Sequence, residues 1–173
     1  KMKICGISFI SNLAAGINAT PLSHEEVKAA ADEFGDELSQ EQIVDLFHSE
    51  YIDFVGKYGL CRHRFAELHE PDGSVHSRFE GAITVGEKEV HIAGVGNGPI
   101  DSFFQALAHA GVQGYHFVNY HEHAVSHGSN AEGICYIELK KPNGEHIFGA
   151  GMHPNVNVAA LLGIICAINR AEK

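Results

Sequence analysis

The sequence predicts an α+β fold, two βββα units related by a pseudo-twofold duplication and preceded by a strand and short connector helices. Three observations predict it. From Leu60 onward, strand-like runs come in threes, each trio is followed by one helix-like run, and the succession occurs twice. The joint between third strand and helix reads Gly94–Val95–Gly96–Asn97–Gly98–Pro99 in the first unit. About 55 residues on, Gly149–Ala150–Gly151–Met152–His153–Pro154 repeats its G-x-G-x-x-P spacing, which points to an internal repeat. Both joints lead into runs with helical apolar patterning.

Taken in order, residues 3–10 (KICGISFI) read as one buried strand, and Ser11–Asn12 begin a turn. A helix starts near Ser23, with Glu25 and Glu26 in its first turn, and Gly35 stops it. Ser39 then caps a second helix, with Gln42 three residues later at the spacing of a capping box. On that helix Ile43, Leu46, Phe47 and Tyr51 share one face, while Asp45, His48 and Glu50 face away. These helices end at Gly56–Lys57 and form a connector or lid without a catalytic constellation.

In the first trio, CRHRFAELHE alternates and ends at Pro71–Asp72–Gly73, a strong turn signal. HSRFEGAITV alternates too, and Gly86–Glu87–Lys88 turns it into EVHIAGVG. The glycine turn follows, then a helix on which Ile100, Phe103, Phe104, Leu107 and Ala108 form a half-buried stripe. Pro99 suits the first helical position, and Asp101 lies in the first turn, where the dipole favours a carboxylate. The second trio is 115–125, 131–140 and 145–149, with Lys141–Pro142–Asn143–Gly144 as a hairpin-like connection. The last helix, from Val156 to Ile168, is apolar almost all round. Such a helix needs cover on two sides, and in a chain this small the second cover is expected from another subunit, giving a closed homodimer.

Composition narrows the function. A chain of 173 residues holds one domain with a full core, or one domain with an appendage. A net charge of -10 argues against nucleic-acid and acidic-membrane partners. No apolar run approaches membrane-helix length, and Ser11, Asn12 and Gly16 interrupt the opening too soon for a signal peptide. Cys5, Cys61, Cys135 and Cys166 form no C-x-x-C and read as reduced, mostly buried thiols of a cytosolic protein.

The first joint is the candidate site. N–H groups at a helix start, aimed into a glycine-floored pocket, suit a small carboxylate or phosphate. Three other readings stand beside it. His121 and His123 point to one face of a strand with His127 near, a partial zinc set that no neighbouring Cys or Asp completes. A dinucleotide turn would need a third glycine in G-x-G-x-x-G, and Pro99 follows Gly98 instead. The glycines can also be devices for tight packing with no ligand.

Two resemblances add to this. Residues 2–27, a strand followed by SN-x-AAG-x and L-x-HEEV, resemble a stretch of trimeric purine nucleoside phosphorylases. There the asparagine after the strand contacts the purine base, and Asn12 is the matching position. That family's phosphate-binding loops have no counterpart, so the resemblance implies no phosphorylase site. GNGPIDSFFQAL, NYHEHAVSHGSNAEGICYIEL and GAGMHPNVNVAALLGIICAINR resemble, in order and spacing, the C-terminal regulatory domain of 2-isopropylmalate synthase, with wording closest to the actinobacterial form. DELSQEQIVDLFHSEYI is similar to the helical connector before it.

The second resemblance covers about residues 28–173 and implies a division into 1–27, a connector at 28–57 and a regulatory and dimerisation domain at 58–173. It further implies a cytoplasmic homodimer that binds leucine between the two units and inhibits a partner catalytic barrel by feedback. Matched by position, the leucine pocket is Gly96, Asn97, Gly98, Ile100 and Asp101, with Tyr120, Ala124, Ala131, Gly133 and Met152. No catalytic residue, cofactor or metal is implied for this chain. A related domain in citramalate synthase responds to isoleucine, and the sequence leaves that preference open.

Overall fold

The computed structural model describes residues 39–125 and 131–173. The strand at 3–10, Asn12, the helix near Ser23 and His127 lie outside them.

Ser39 starts the described chain as read. Its Oγ accepts the Gln42 N–H at 3.2 Å, while Gln42 Oε1 accepts the Ser39 N–H at 2.7 Å. The helix it caps, α1 (Gln40–Phe47), runs on into a five-residue π-helical turn, His48–Ile52. Then come β1 (Tyr58–His69), β2 (Val75–Val85), β3 (Lys88–Gly96) and α2 (Pro99–His109). The second unit is β4 (His116–Ala124), β5 (Gly133–Lys140), β6 (His146–His153) and α3 (Val156–Ala171). Each trio is an antiparallel meander, ordered β1-β2-β3 and β4-β5-β6, and each is followed by its helix. The predicted βββα duplication is therefore the architecture. Among the described residues neither sheet has a parallel strand pair, so the dinucleotide reading finds no βαβ unit there.

The glycine joints are built differently from their sequence reading. Gly94 and Gly96 belong to β3, and Gly149 and Gly151 to β6, so the turn proper is only Asn97–Gly98 in the first unit. A methyl group on Gly94 would lie 2.4 Å from the Ser102 carbonyl oxygen, and one on Gly151 2.2 Å from that of Ala159. These four strand glycines let helix backbone rest on strand backbone, which any side chain would prevent. Tight packing is their role.

One apolar core joins the two units. Phe79, Ile83 and Ile92 of the first sheet meet Phe103 and Leu107 of α2, and the core continues through Leu161, Ile164 and Ile168 of α3 to Ile137 and Leu139 of the second sheet. Each such fully buried side chain contributes roughly 1.5–3 kcal/mol. Nearly every residue of α3 from Val158 to Asn169 is buried within the single chain. The helix touches β5 and β6 on one side and β1, α2 and the π-helical turn on others. The second cover expected from another subunit comes instead from the first unit. The apolar helix is thus no argument for a dimer.

The outer faces of the two sheets differ. On the second, Ile43, Phe47 and Tyr51 of the connector pack against Ile134, Tyr136 and Ala150, so that sheet lies between α1 and α3. The first carries Arg62 paired with Glu89, and Arg64 and Arg78 paired with Glu80, and stays wet. Among the described residues no helix is long and apolar enough to cross a membrane. Cys61 is exposed and Cys135 and Cys166 are buried, all as free thiols.

Candidate functional site

The start of α2 has Gly98 as its N-cap, in extended backbone (φ -164°, ψ 178°) and without a side-chain cap, and Pro99 opens the helix. Asp101 folds back instead of capping: its Oδ2 accepts the Asn97 N–H at 2.8 Å, and Gln105 Nε2 donates to Oδ1 at 3.5 Å. This closes the Asn97 turn, while the N–H groups of the first turn keep no side-chain acceptor. A Cβ built on Gly98 meets nothing within 4 Å, so the space before the helix start is open. Gly96 is different. A Cβ there would lie 2.5 Å from the Ser102 nitrogen, which makes it a packing residue and not a pocket floor.

The second joint has closed on itself. Asn155 caps α3, its Oδ1 accepting the Asn157 N–H at 3.0 Å, and His153 Nδ1 accepts the Asn155 N–H at 2.9 Å. The two joints share spacing and packing, yet of the two only the α2 start lacks a side-chain cap.

Register places the remaining predicted residues. Ala124 lies opposite Gly133, which in turn lies opposite His153, and Tyr120 lies opposite Ile137. Tyr120, Ala124 and Gly133 therefore share the face that looks toward α3. Ala131 stands two residues before β5. Met152 pairs with Ile134 and belongs to the opposite face, packed in the cluster that holds α1. It is the predicted pocket residue that the fold takes away from the others. There it helps to line a cavity of about 180 Å³ with Tyr51, Ile52, Leu60 and Leu162.

A β-bulge links the two halves of the site. The β4–β5 register slips between Phe117 and Asn119, so Val118 is the extra residue. The slip puts Phe117 and Tyr120, three apart, on one face, where their rings lie 6.1 Å apart. Phe117 also meets Phe104 of α2 edge-on at 6.1 Å. Ile100, one turn earlier, shares the face of Phe104. An apolar surface thus runs from α2 across β4, with Tyr120 45% and Phe117 37% exposed. Phe117 and Phe104 were missed in the sequence. Phe104 was visible only as a core stripe, and nothing local announces the bulge that turns Phe117.

His121 and His123 occupy the other face of β4, with rings 4.4 Å apart and His123 6.3 Å from the Tyr136 ring. Among the described residues no third His, Cys, Asp or Glu joins them as a metal set.

Comparison with known proteins gives the family. Residues 37–172 match the LeuA allosteric (dimerisation) domain. The chain belongs to that family. The LeuA domain match takes in α1 and the π-helical turn together with both βββα units, in keeping with the packing of Ile43, Phe47 and Tyr51 on the second sheet. The 2-isopropylmalate synthase of Clostridium acetobutylicum is 32% identical over 174 residues, covering 96% of this chain and 31% of that protein. That of Mesorhizobium japonicum is 35% identical over 173 residues, covering 95% and 30%. That of Mycobacterium leprae is 31% identical over 137 residues, covering 79% and 22%. The chain spans less than a third of the length of these relatives. A match over 96% of the chain also extends beyond residues 28–173.

Proposed function

We propose that this LeuA-type domain is the regulatory part of a 2-isopropylmalate synthase. It binds free leucine between the α2 start and β4, in a site that a second copy of the chain completes. The observation that carries the reading is the uncapped start of α2 beside the half-exposed Phe117–Tyr120 surface. Free N–H groups at a helix start receive the amino acid's carboxylate, and Asp101 or nearby carbonyls receive its ammonium. Ile100 and Tyr120 meet the branched side chain, for which Ala124, Ala131 and Gly133 leave room. A second copy is favoured because β4 is an edge strand with Phe117, Val118 and Tyr120, and Val125 just past its end, open to water. Leucine bound there would act at a distance on the catalytic barrel of the parent enzyme.

Titration calorimetry with leucine, valine and isoleucine, beside sedimentation, tests this. Leucine is expected to bind a dimer. Gly98→Leu should fold normally, since its backbone is extended and its surroundings open, and should lose at least roughly tenfold in leucine affinity by occluding the helix start. Unchanged affinity in that variant sinks the site. Isoleucine binding more tightly than leucine would move the reading to a citramalate synthase-like regulator.

A further inference from the structure

The apolar residues of the described chain fall into two clusters, and a gap lies between them. Tyr58, Leu60 and Ile165 pack with the large core, whereas Tyr51, Ala150, Met152 and Cys166 belong to the cluster that holds the connector. All of these line the cavity of about 180 Å³ beside Met152. The gap has a packing cause. Toward it α3 offers Leu162, Ile165 and Cys166 at i, i+3 and i+4, β6 offers Ala150 and Met152 two apart, and β1 offers Tyr58 and Leu60 two apart. Three convex surfaces meet there beside the π-helical turn, and Ala150, Gly151 and Cys166 are too small to fill the space left over.

The cavity is closed inside and open outside. Tyr51, Tyr58, Ala150, Ile165 and Cys166 are buried, while Ile52, Phe54, Leu60, Met152 and Leu162 are half-buried. Val55 also belongs to the lining and is 91% exposed, which gives an entering molecule an apolar way in.

The chemistry of the wall selects the occupant. No charged side chain lines it. The Tyr58 hydroxyl donates to Glu172 at 3.1 Å, and the Tyr51 hydroxyl accepts from Arg170 at 3.1 Å. The other side-chain heteroatoms of the lining are the sulfurs of Met152 and Cys166, both weak partners. Among the described residues no buried side-chain nitrogen or oxygen is left without a partner. A trapped water needs two to four polar partners, and these side chains offer no strong one. An apolar cavity of about 150 Å³ holds benzene, so this one takes a molecule of about six to eight non-hydrogen atoms.

We propose that this cavity is a binding site for one small uncharged apolar molecule, an aromatic or branched hydrocarbon of that size. It is separate from the leucine site. The cavity lies against β6, at one edge of the second sheet, and the α2–β4 site lies at the other edge. A free amino acid, charged at both ends, would find no counter-charge in this wall.

Carbon-13 methyl spectra of the full chain, titrated with benzene in the absence of leucine, test the site. Benzene should shift the methyl signals of Met152, Leu162 and Ile165 with a Kd on the order of 1 mM or tighter, and leave those of Ile100 and Val118 in place. Benzoate, the same ring carrying a charge, should bind at least roughly tenfold more weakly. Leu162→Phe enlarges a half-buried side chain of the wall and should weaken benzene binding at least roughly fivefold. If that variant loses its dispersed spectrum, Met152→Phe fills the cavity from β6 and should show the same loss. Saturating L-leucine should leave the benzene Kd within about twofold. Shifts at Ile100 or Val118 instead, equal binding of benzoate, or unchanged affinity in the filled variants overturns the proposal. So does displacement of benzene by leucine, which would make the cavity part of the amino-acid site. A failure of leucine to bind overturns the leucine reading and not this one, because benzene binding is read without it.

Discussion

Alanine in place of Gly151 adds a single methyl group, and the structure says where it goes. The new carbon lies 2.2 Å from the Ala159 carbonyl oxygen and 2.5 Å from the Gly163 nitrogen, both backbone atoms of α3. Neither can rotate aside as a side chain would. Reaching ordinary contact at about 3.4 Å requires α3 to move off β6 by roughly 1 Å, against a core packed like a crystal. That displacement loosens Leu161, Ile164 and Ile168, which are sealed on all sides. Overpacking of a side chain costs about 1–3 kcal/mol, and here the obstacle is backbone, so we expect about 3 kcal/mol or more. Urea unfolding followed by far-UV circular dichroism reads this as a lower midpoint with an unchanged slope. In heat it corresponds to a melting point about 6–12 °C lower. The control is Gly98→Ala, where the added carbon meets nothing within 4 Å and stability should stay within about 0.5 kcal/mol of wild type. A Gly151→Ala protein as stable as wild type would refute the assignment of these glycines to packing.

Two further outcomes follow from buried groups. Asn169→Leu leaves the N–H and carbonyl of Tyr58 without their side-chain partner in a buried place, and should destabilise by about 2–4 kcal/mol in the same urea assay. A loss below about 1 kcal/mol would mean that water reaches Tyr58. Burial pushes the Cys135 thiol up to about 12 and raises that of Cys166, whereas Cys61 is exposed. Since the thiolate is the nucleophile, iodoacetamide at pH 8 should label Cys61 well before the other two. Peptide mapping that finds the three labelled at one rate would contradict the native core.

Much of this protein is legible along the chain because the relevant forces act over a few residues. The capping box of Ser39 and Gln42, the placing of Pro99 and the turns at Gly73 and Gly144, with φ 86° and 88°, are local chemistry, and all stand where the sequence puts them. Alternation and helical stripes gave the order of strands and helices, and the spaced glycines gave the duplication. The candidate site was only partly legible. Ile100, Asp101, Tyr120, Ala124 and Gly133 sit around the α2 start and the β4 edge, but Met152 does not join them. Strand parity, fixed by pairing with Ile134, turns it to the face that holds α1.

By itself, then, the sequence determined the α+β class, the two βββα units, the capped start of the connector helix at Ser39 and membership of the LeuA domain family. The tertiary structure alone decided what each unit presses against. It showed that α3 finds its second cover inside the chain, that the paired glycines admit helix backbone, and that a bulge at Val118 aligns Phe117 with Tyr120. It also brought Arg170 to Glu50 and Asn169 to Tyr58, across separations of 120 and 111 residues. Patterning specifies which faces must be buried, not which surface buries them. That choice is made by packing between residues too distant in the chain to leave a local mark.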